Sequence, residues 1–242
     1  MKYYRSTKLY AVPEYPQYTY VNAVSIEDAQ SQKVDLIDIS YEDFCEHQTQ
    51  FEVNSLDSHY LGSADCLIRF GERYQFYQLS QKAFLSLLSK VEIYLKTDDY
   101  AVIVGDELSI SQFLPALAKL GYSRFVFVVE DPVVVQKFIQ NIQKTLLGLE
   151  LLILGFNQVS SIDCISSLLL VDINHKERPE LVESLTYFNF LTTGAAFFDV
   201  RSALNDDLVQ EALRAQMVVI DSPQYAQVRL EIADQILTKK IK

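Results

Sequence analysis

The chain has few glycines, seven in 242 residues, only three cysteines and three histidines, and no tryptophan at all. The cysteines, Cys45, Cys66 and Cys164, lie far apart with no C-x-x-C spacing, which excludes a disulfide framework and a zinc knuckle and reads as small buried side chains. Positive charge is also scarce. Lys and Arg number 21 against 32 Asp and Glu, a net charge of -11. That balance argues against an extended phosphate-binding face, so no nucleic-acid partner is expected. The longest apolar run, near Leu146 to Phe156, is interrupted by Gly148, Glu150 and Gly155, too short to span a bilayer. No membrane association is expected, and because the opening Met1-Lys-Tyr-Tyr-Arg-Ser has no apolar signal core, the expected compartment is the cytoplasm. His47, His59 and His175 are read as surface or structural histidines, and no metal site is expected. Asp57-Ser58-His59 has the composition of a nucleophile triad but no Gly-x-Ser-x-Gly elbow to present the serine.

What the chain has in quantity is apolar sequence, 49% of its residues. From Tyr100 onward short apolar runs alternate with amphipathic stretches. Strands are expected at Tyr100–Val104, Phe125–Val129, Leu149–Ile153, Leu168–Ile173, Ala195–Asp199 and Met217–Ile220. Helices fall between most of them, at Ser109–Leu120, Pro132–Lys144, Pro179–Tyr187 and Asp206–Arg214, with Pro132 and Pro179 at first-turn positions that tolerate proline. Strands apolar throughout, joined by short connections, imply a parallel sheet covered on both faces and wound in the doubly wound order.

The first 80 residues differ in texture. Expected strands are Lys8–Val12, Tyr18–Val24 and Val34–Ile39, followed by a hairpin of Cys66–Phe70 and Tyr74–Tyr77 turned by Gly71-Glu72-Arg73. A helix over Gln81–Lys96 leads into the sheet region, and another from Ser222 to about Lys240 closes the chain. The fold class is therefore α/β: a small N-terminal α/β domain over residues 1–82, a doubly wound parallel-sheet domain over 83–221, and a C-terminal helix over 222–242. Tyr3, Tyr4, Tyr10, Tyr15, Tyr18 and Tyr20 crowd the N-terminus, serving either a partner surface or the small domain's own core.

The turn after the first sheet strand is Gly105-Asp106-Glu107-Leu108-Ser109. In a Rossmann-like sheet this is where backbone amides cradle a pyrophosphate, with a second glycine for close approach and a third for helix packing. Only Gly105 is present. Asp106 and Glu107 suit the positive end of the following helix but repel the phosphates that would occupy it. The degenerate nucleotide site thus comprises Gly105, Asp106, Glu107 and Leu108, with Glu130 at the end of the next strand. An acid there binds a ribose diol and opposes a 2′-phosphate. Asp172, Asn174 and His175 cluster at the end of the fourth strand, where open α/β sheets place ligand crevices, and Asp199-x-Arg201 ends the fifth as an internal ion pair or a polar lip.

Two segments resemble the shikimate dehydrogenase family. His59-Tyr-Leu-Gly62-Ser-Ala-Asp65 through Gly71 to Gln78-Leu79-Ser80-Gln-Lys-Ala-Phe84 is similar to its Gly-Ala-Val-Asn-Thr strand, hairpin and Gly-Tyr-Asn-Thr-Asp turn. Phe198-Asp199-Val-Arg-Ser202-Ala-Leu204 through Ala212 to Val219-Ile-Asp221 is similar to its Asp-x-x-Tyr-x-Pro strand end, next helix and last strand. The resemblance implies that the family's amide-bearing Asn falls at Asp65, that the carboxylate pairing with substrate and catalytic lysine falls at Ser80, and that the Tyr and Pro fall at Ser202 and Leu204. The glutamine of the last helix falls at about Arg229, and the NADP-selecting Asn-Arg-Thr at Val129-Glu130-Asp131. The lysine segment has no match before residue 59, where Lys33 lies in Ser-Gln-Lys-Val, and Glu14-Tyr-Pro-Gln-Tyr-Thr-Tyr20 stands where a Ser-x-Ser clamp belongs.

The expectation is a shikimate-dehydrogenase-like protein without catalytic residues or cofactor, a pseudoenzyme that binds a protein partner or a small molecule. The alternative is an NAD-dependent oxidoreductase of altered specificity, with Lys82 or Lys176 as a displaced lysine.

Overall fold

The computed structural model describes residues 1–6, 18–53, 63–90, 93, 95–144, 146–201 and 206–240, apart from the side chains of Asn141 and Lys240. The strand expected at Lys8–Val12, Tyr10 and Tyr15, the Asp57-Ser58-His59 sequence, and Ser202 and Leu204 lie outside the described residues. The chain divides into two compact units, Met1–Phe84 with Ala226–Lys242, and Leu85–Tyr225. The boundaries fall inside the helices Leu79–Lys90 and Ser222–Lys240.

The second unit is the doubly wound sheet. Its strands are β7 (Tyr100–Gly105), β8 (Arg124–Val129), β9 (Glu150–Gly155), β10 (Ser166–Val171), β11 (Leu191–Asp199) and β12 (Val218–Val219), in the order β12-β11-β10-β7-β8-β9. Every pairing is parallel. Residues 166–171 of β10 are all buried, as the continuous apolar reading requires of a strand covered on both faces. Helices Glu107–Lys119 and Pro132–Gln143 begin where their caps dictate. Asp106 accepts from the Ser109 amide in a capping box, and Asp131 accepts from the Val133 and Val134 amides with Pro132 in the first turn.

The first unit holds a mixed sheet in the order β2-β1-β3-β5-β6-β4. Its strands are β1 (Lys2–Arg5), β2 (Thr19–Tyr20), β3 (Leu36–Asp38), β4 (Glu52–Val53), β5 (Cys66–Phe70) and β6 (Arg73–Tyr77). Alternation along β1 sends Tyr4 to one face, with Ile37, Leu67, Phe76 and the helices Ile26–Ser31 and Tyr41–His47. Tyr3 goes to the other, with Leu36, Cys66, Ile68 and Leu230 of the last helix. Tyr3 and Tyr4 are both buried, so these two belong to the core rather than to a partner surface. The hairpin differs from expectation by one residue. Phe70 pairs with Arg73, leaving a two-residue turn in which Gly71 takes φ +62°. The two short helices were not expected, because runs of six and seven residues give too few turns for a period to emerge.

Gly105 is needed for space. A Cβ built there would lie 2.5 Å from Ser109 Oγ and 2.7 Å from Ser109 Cβ. Gly105→Ala should therefore lower unfolding stability by about 1–3 kcal/mol, and Gly105→Ala/Ser109→Gly should recover part of the loss. Urea denaturation reads both, and a single variant as stable as the parent would disprove the steric account.

Candidate functional site

In the second unit the carboxyl ends of the central strands and the N-termini of their helices converge, so acidic and basic side chains collect at one edge. Asp106 caps its helix, and Ser109 Oγ lies 2.8 Å from both Asp106 Oδ1 and Asp172 Oδ2. A hydroxyl has one hydrogen, so both contacts are hydrogen bonds together only when one carboxyl carries a proton. Asp106 is the group poised to do so. The residue as a whole is exposed, yet its carboxyl sits among Ser109, Asp172 and Arg201, and desolvation followed by the Asp172 charge raises its pKa. Asp172 in turn forms a close ion pair with Arg201 Nε. The ion pair expected at Asp199-x-Arg201 is thus made to Asp172, while Asp199 Oδ1 accepts from the Arg201 amide at 3.2 Å.

Of the positions read as a nucleotide site, Gly105, Asp106, Glu107 and Leu108 form the strand end and first helical turn, with Leu108 buried. Glu130 follows β8, largely exposed, in a close ion pair with Arg178. The Arg178 guanidinium lies 5.7 Å over the Phe156 ring. Both residues line a cleft of about 430 Å³ that also includes Asn157, Ser160 and Glu180. Lys176 is exposed.

His175, from the loop after β10, lies between two aspartates. Its Nε2 is 2.7 Å from Asp199 Oδ2 and its Nδ1 is 3.0 Å from Asp206 Oδ1. Burial lowers the imidazole pKa, and the two carboxylates outweigh it, so the net direction is upward. His175 and Asp199 were marked from the sequence as strand-end residues, but Asp206, a helix cap, was not, and spacing along the chain does not bring the three together.

In the first unit three positions that the resemblance marked come together. Arg229, from the last helix, places Nη2 2.7 Å from Asp38 Oδ1 and 3.7 Å from Asp65 Oδ1. Asp65 also accepts from the amides of Leu79 at 2.9 Å and Ser80 at 2.6 Å, capping the helix Leu79–Lys90. That cap explains why the helix starts before the expected Gln81. Asp38 takes a close hydrogen bond from the Tyr3 hydroxyl, whose pKa is pushed up by burial and then by the Asp38 charge. Asp38 and Tyr3 were not marked as site residues from the sequence, since neither falls in a motif. Lys33 pairs with Glu72, and Lys82 is exposed.

Neither a protein-family model nor a curated protein matches the chain. Solved structures do. The chain is similar to shikimate 5-dehydrogenase from Listeria monocytogenes in complex with shikimate and NAD, at TM-score 0.71 and 10% identity over 92% of this chain and 82% of that one. It is similar to quinate dehydrogenase from Corynebacterium glutamicum in complex with NAD, at TM-score 0.72 and 12% identity over 92% and 83%. Shikimate 5-dehydrogenase from Thermus thermophilus in complex with NADP(H) and shikimate matches at TM-score 0.67 and 14% identity over 92% and 82%. The α/β fold is similar to that of the shikimate and quinate dehydrogenases. These neighbours correct one expectation. A protein without a cofactor was expected from the missing glycines, whereas structures of this fold hold NAD or NADP. The geometry gives a physical reason why the turn was over-read: Asp106 and Asp172 are partly compensated by a shared serine, a raised pKa and Arg201, so counting their formal charges overstates the repulsion.

Two measurements test this electrostatic description. Arg229→Met strips the compensation from Asp38 and Asp65 and should cost about 3–5 kcal/mol in denaturant unfolding. Asp106→Asn keeps the cap and removes the charge. Because the folded-state pKa of Asp106 is raised, the parent loses stability as pH rises from the unfolded carboxylate range, near 3.9, through the folded value. The variant should therefore gain on the parent from acid to neutral pH, and a difference that does not change with pH would contradict the assignment.

Proposed function

We propose that this chain is a shikimate-dehydrogenase-like binding module that does not turn over shikimate or quinate. The observation that carries the reading is the closed ion cluster in the first unit. The positions where the resemblance places an amide-bearing Asn and the last helix's glutamine are Asp65 and Arg229, and Arg229 is shared between Asp65 and Asp38. An arginine held by two carboxylates, and a carboxylate held by an arginine and two helix amides, have little left to offer a hydroxy acid. Ser80 replaces the family's acidic partner, and a hydroxyl cannot hold a lysine–carboxylate pair. Loss of general acid–base assistance alone removes about 10²–10⁴-fold in rate.

We infer NAD rather than NADP for the second unit because Glu130 follows β8, where an acid bonds a ribose diol, an exchange in which it would leave its ion pair with Arg178. The cleft beside Arg178 and Phe156 has the size of a small-molecule site. The net charge of -11 favours neither nucleic acid nor an anionic membrane surface as partner, and among the described residues no helix is long and apolar enough to cross a membrane. A second reading, an NAD-dependent oxidoreductase of altered specificity, is favoured by the same Glu130 together with the dehydrogenase strand order.

A steady-state assay of shikimate and quinate with NAD and with NADP separates the two readings from the parent activity. We expect no turnover with any pair, and NADH quenching or calorimetry should show NAD binding at least tenfold tighter than NADP. Turnover of either acid at an ordinary enzymatic rate would overturn the binding-module reading, and equal affinity for the two dinucleotides would remove the role given to Glu130.

A further inference from the structure

The first unit has a cleft of about 590 Å³ between the hairpin turn of β5 and β6 and the end of the helix Ile26–Ser31, and none of Tyr3, Asp38, Asp65 and Arg229 lines it. Residues 1–80 contain six Lys and Arg against twelve Asp and Glu, yet three of those cations, Lys33, Arg69 and Arg73, line this cleft. Two of the three are held. Lys33 Nζ lies 3.0 Å from Glu72 Oε1, and Arg69 Nη2 lies 2.6 Å from Asp35 Oδ1 while its Nη1 donates to the Gly71 carbonyl. Arg73 is exposed, and among the described residues its guanidinium has no hydrogen bond or ion pair. A second observation is independent of charge. Lys33 follows the helix with φ +54°, a left-handed conformation that glycine or asparagine takes at a helix end at lower cost. Its pair with Glu72 leaves the two side chains 60% and 80% exposed, a contact that stabilises a fold little, so stability does not account for a lysine in that place.

We propose that this cleft binds a small aromatic monocarboxylate, with Arg73 taking the carboxylate and Phe51 and Tyr74 the ring. An arginine fork matches a carboxylate through two parallel hydrogen bonds. Phe51 and Tyr74 are partly buried, with ring centroids 6.5 Å apart in an edge-to-face arrangement, and a flat ring adds to such a pair favourably. The Tyr74 hydroxyl donates to the Val34 carbonyl at 2.9 Å, so the residue offers the cleft its ring alone. The side-chain amides of Gln30 and Gln50 also line the cleft and have no partner among the described residues, which leaves them for polar substituents on the ring. The carboxylates of Glu52 and Glu72 set the charge of the ligand. They line the same cleft and oppose a dianion such as a phosphate monoester, so a single negative charge fits best. The exposed Lys33 can exchange Glu72 for the ligand at little cost. The cleft lies wholly in the first unit, so the inference stands whether or not the second unit holds a dinucleotide.

The full chain is titrated with para-fluorobenzoate near neutral pH and followed by fluorine NMR, with para-fluorobenzamide as the neutral counterpart and para-fluorophenyl phosphate as the dianion. The carboxylate should bind saturably at one site per chain, and the amide and the phosphate should each bind about tenfold more weakly. Arg73→Gln should weaken carboxylate binding about tenfold. Lys33→Gly removes the ammonium and relieves the left-handed backbone, so it should weaken binding several-fold while Tm holds or rises. Both side chains are exposed, so the two variants should keep the fold. Arg178→Gln, in the cleft of the second unit, should leave the affinity unchanged. The assignment is overturned by the absence of saturable binding, by an amide or a phosphate that binds as tightly as the carboxylate, by undiminished affinity in Arg73→Gln, or by a loss confined to Arg178→Gln.

Discussion

A carboxylate taken out of water must meet a cation, a proton or several amide hydrogens, and this chain takes several out of water at once. Asp38, Asp65, Asp172 and Asp199 are all buried. Each is answered by a different device: Asp38 and Asp65 by Arg229 and by a tyrosine or helix amides, Asp172 by Arg201 and Ser109, Asp199 by His175. The compensating residues come from elements remote in sequence, so each of these pairs holds a loop or helix end in register with a strand. Much of the detailed geometry at both sites follows from where those few cations stand.

The parallel sheet was legible because burial on both faces leaves a simple trace. Leu168 to Val171 and Phe125 to Val129 are continuous apolar runs within β10 and β8. The proline starts at Pro132 and Pro179 and the hairpin around Gly71 were equally local signals. The first unit was read less well for a physical reason. Its strands β2 and β4 are two residues long and its early helices span six and seven residues, so periodicity has nothing to accumulate over. Lys2–Arg5 pairs on both edges, yet it carries charge at each end and reads as polar sequence.

The candidate sites were legible where a residue type was odd for its place or where a strand ended. Asp65 and Arg229 stood out because the resemblance expected amides there, and the structure puts them in one ion cluster. Asp38 carried no such mark, since an aspartate at the end of a short strand is ordinary until a guanidinium arrives from near the other end of the chain. The same is true of Asp206, whose role as a helix cap hides its second contact with His175. Position at a strand end did single out Asp172, His175, Asp199 and Arg201, because an open α/β sheet collects polar groups there, but it does not say which of them pair.

The likeness to dehydrogenases at 10–14% identity has a related explanation. Fold similarity at that level is maintained by apolar pattern and crossover handedness, which constrain residue class and not residue identity. The charged edge of the sheet is under no such constraint. Counted from Gly105, the G-x-G-x-x-G spacing puts Glu107 and Ile110 at the second and third glycine positions, while Ser109 packs close against Gly105 and links Asp106 to Asp172. The affinity of that edge for an anion is therefore not a fixed property of the fold. It depends on how many of the linked carboxylates are ionised, and each proton or cation that the network accepts makes the helix N-terminus beside it more hospitable to a phosphate.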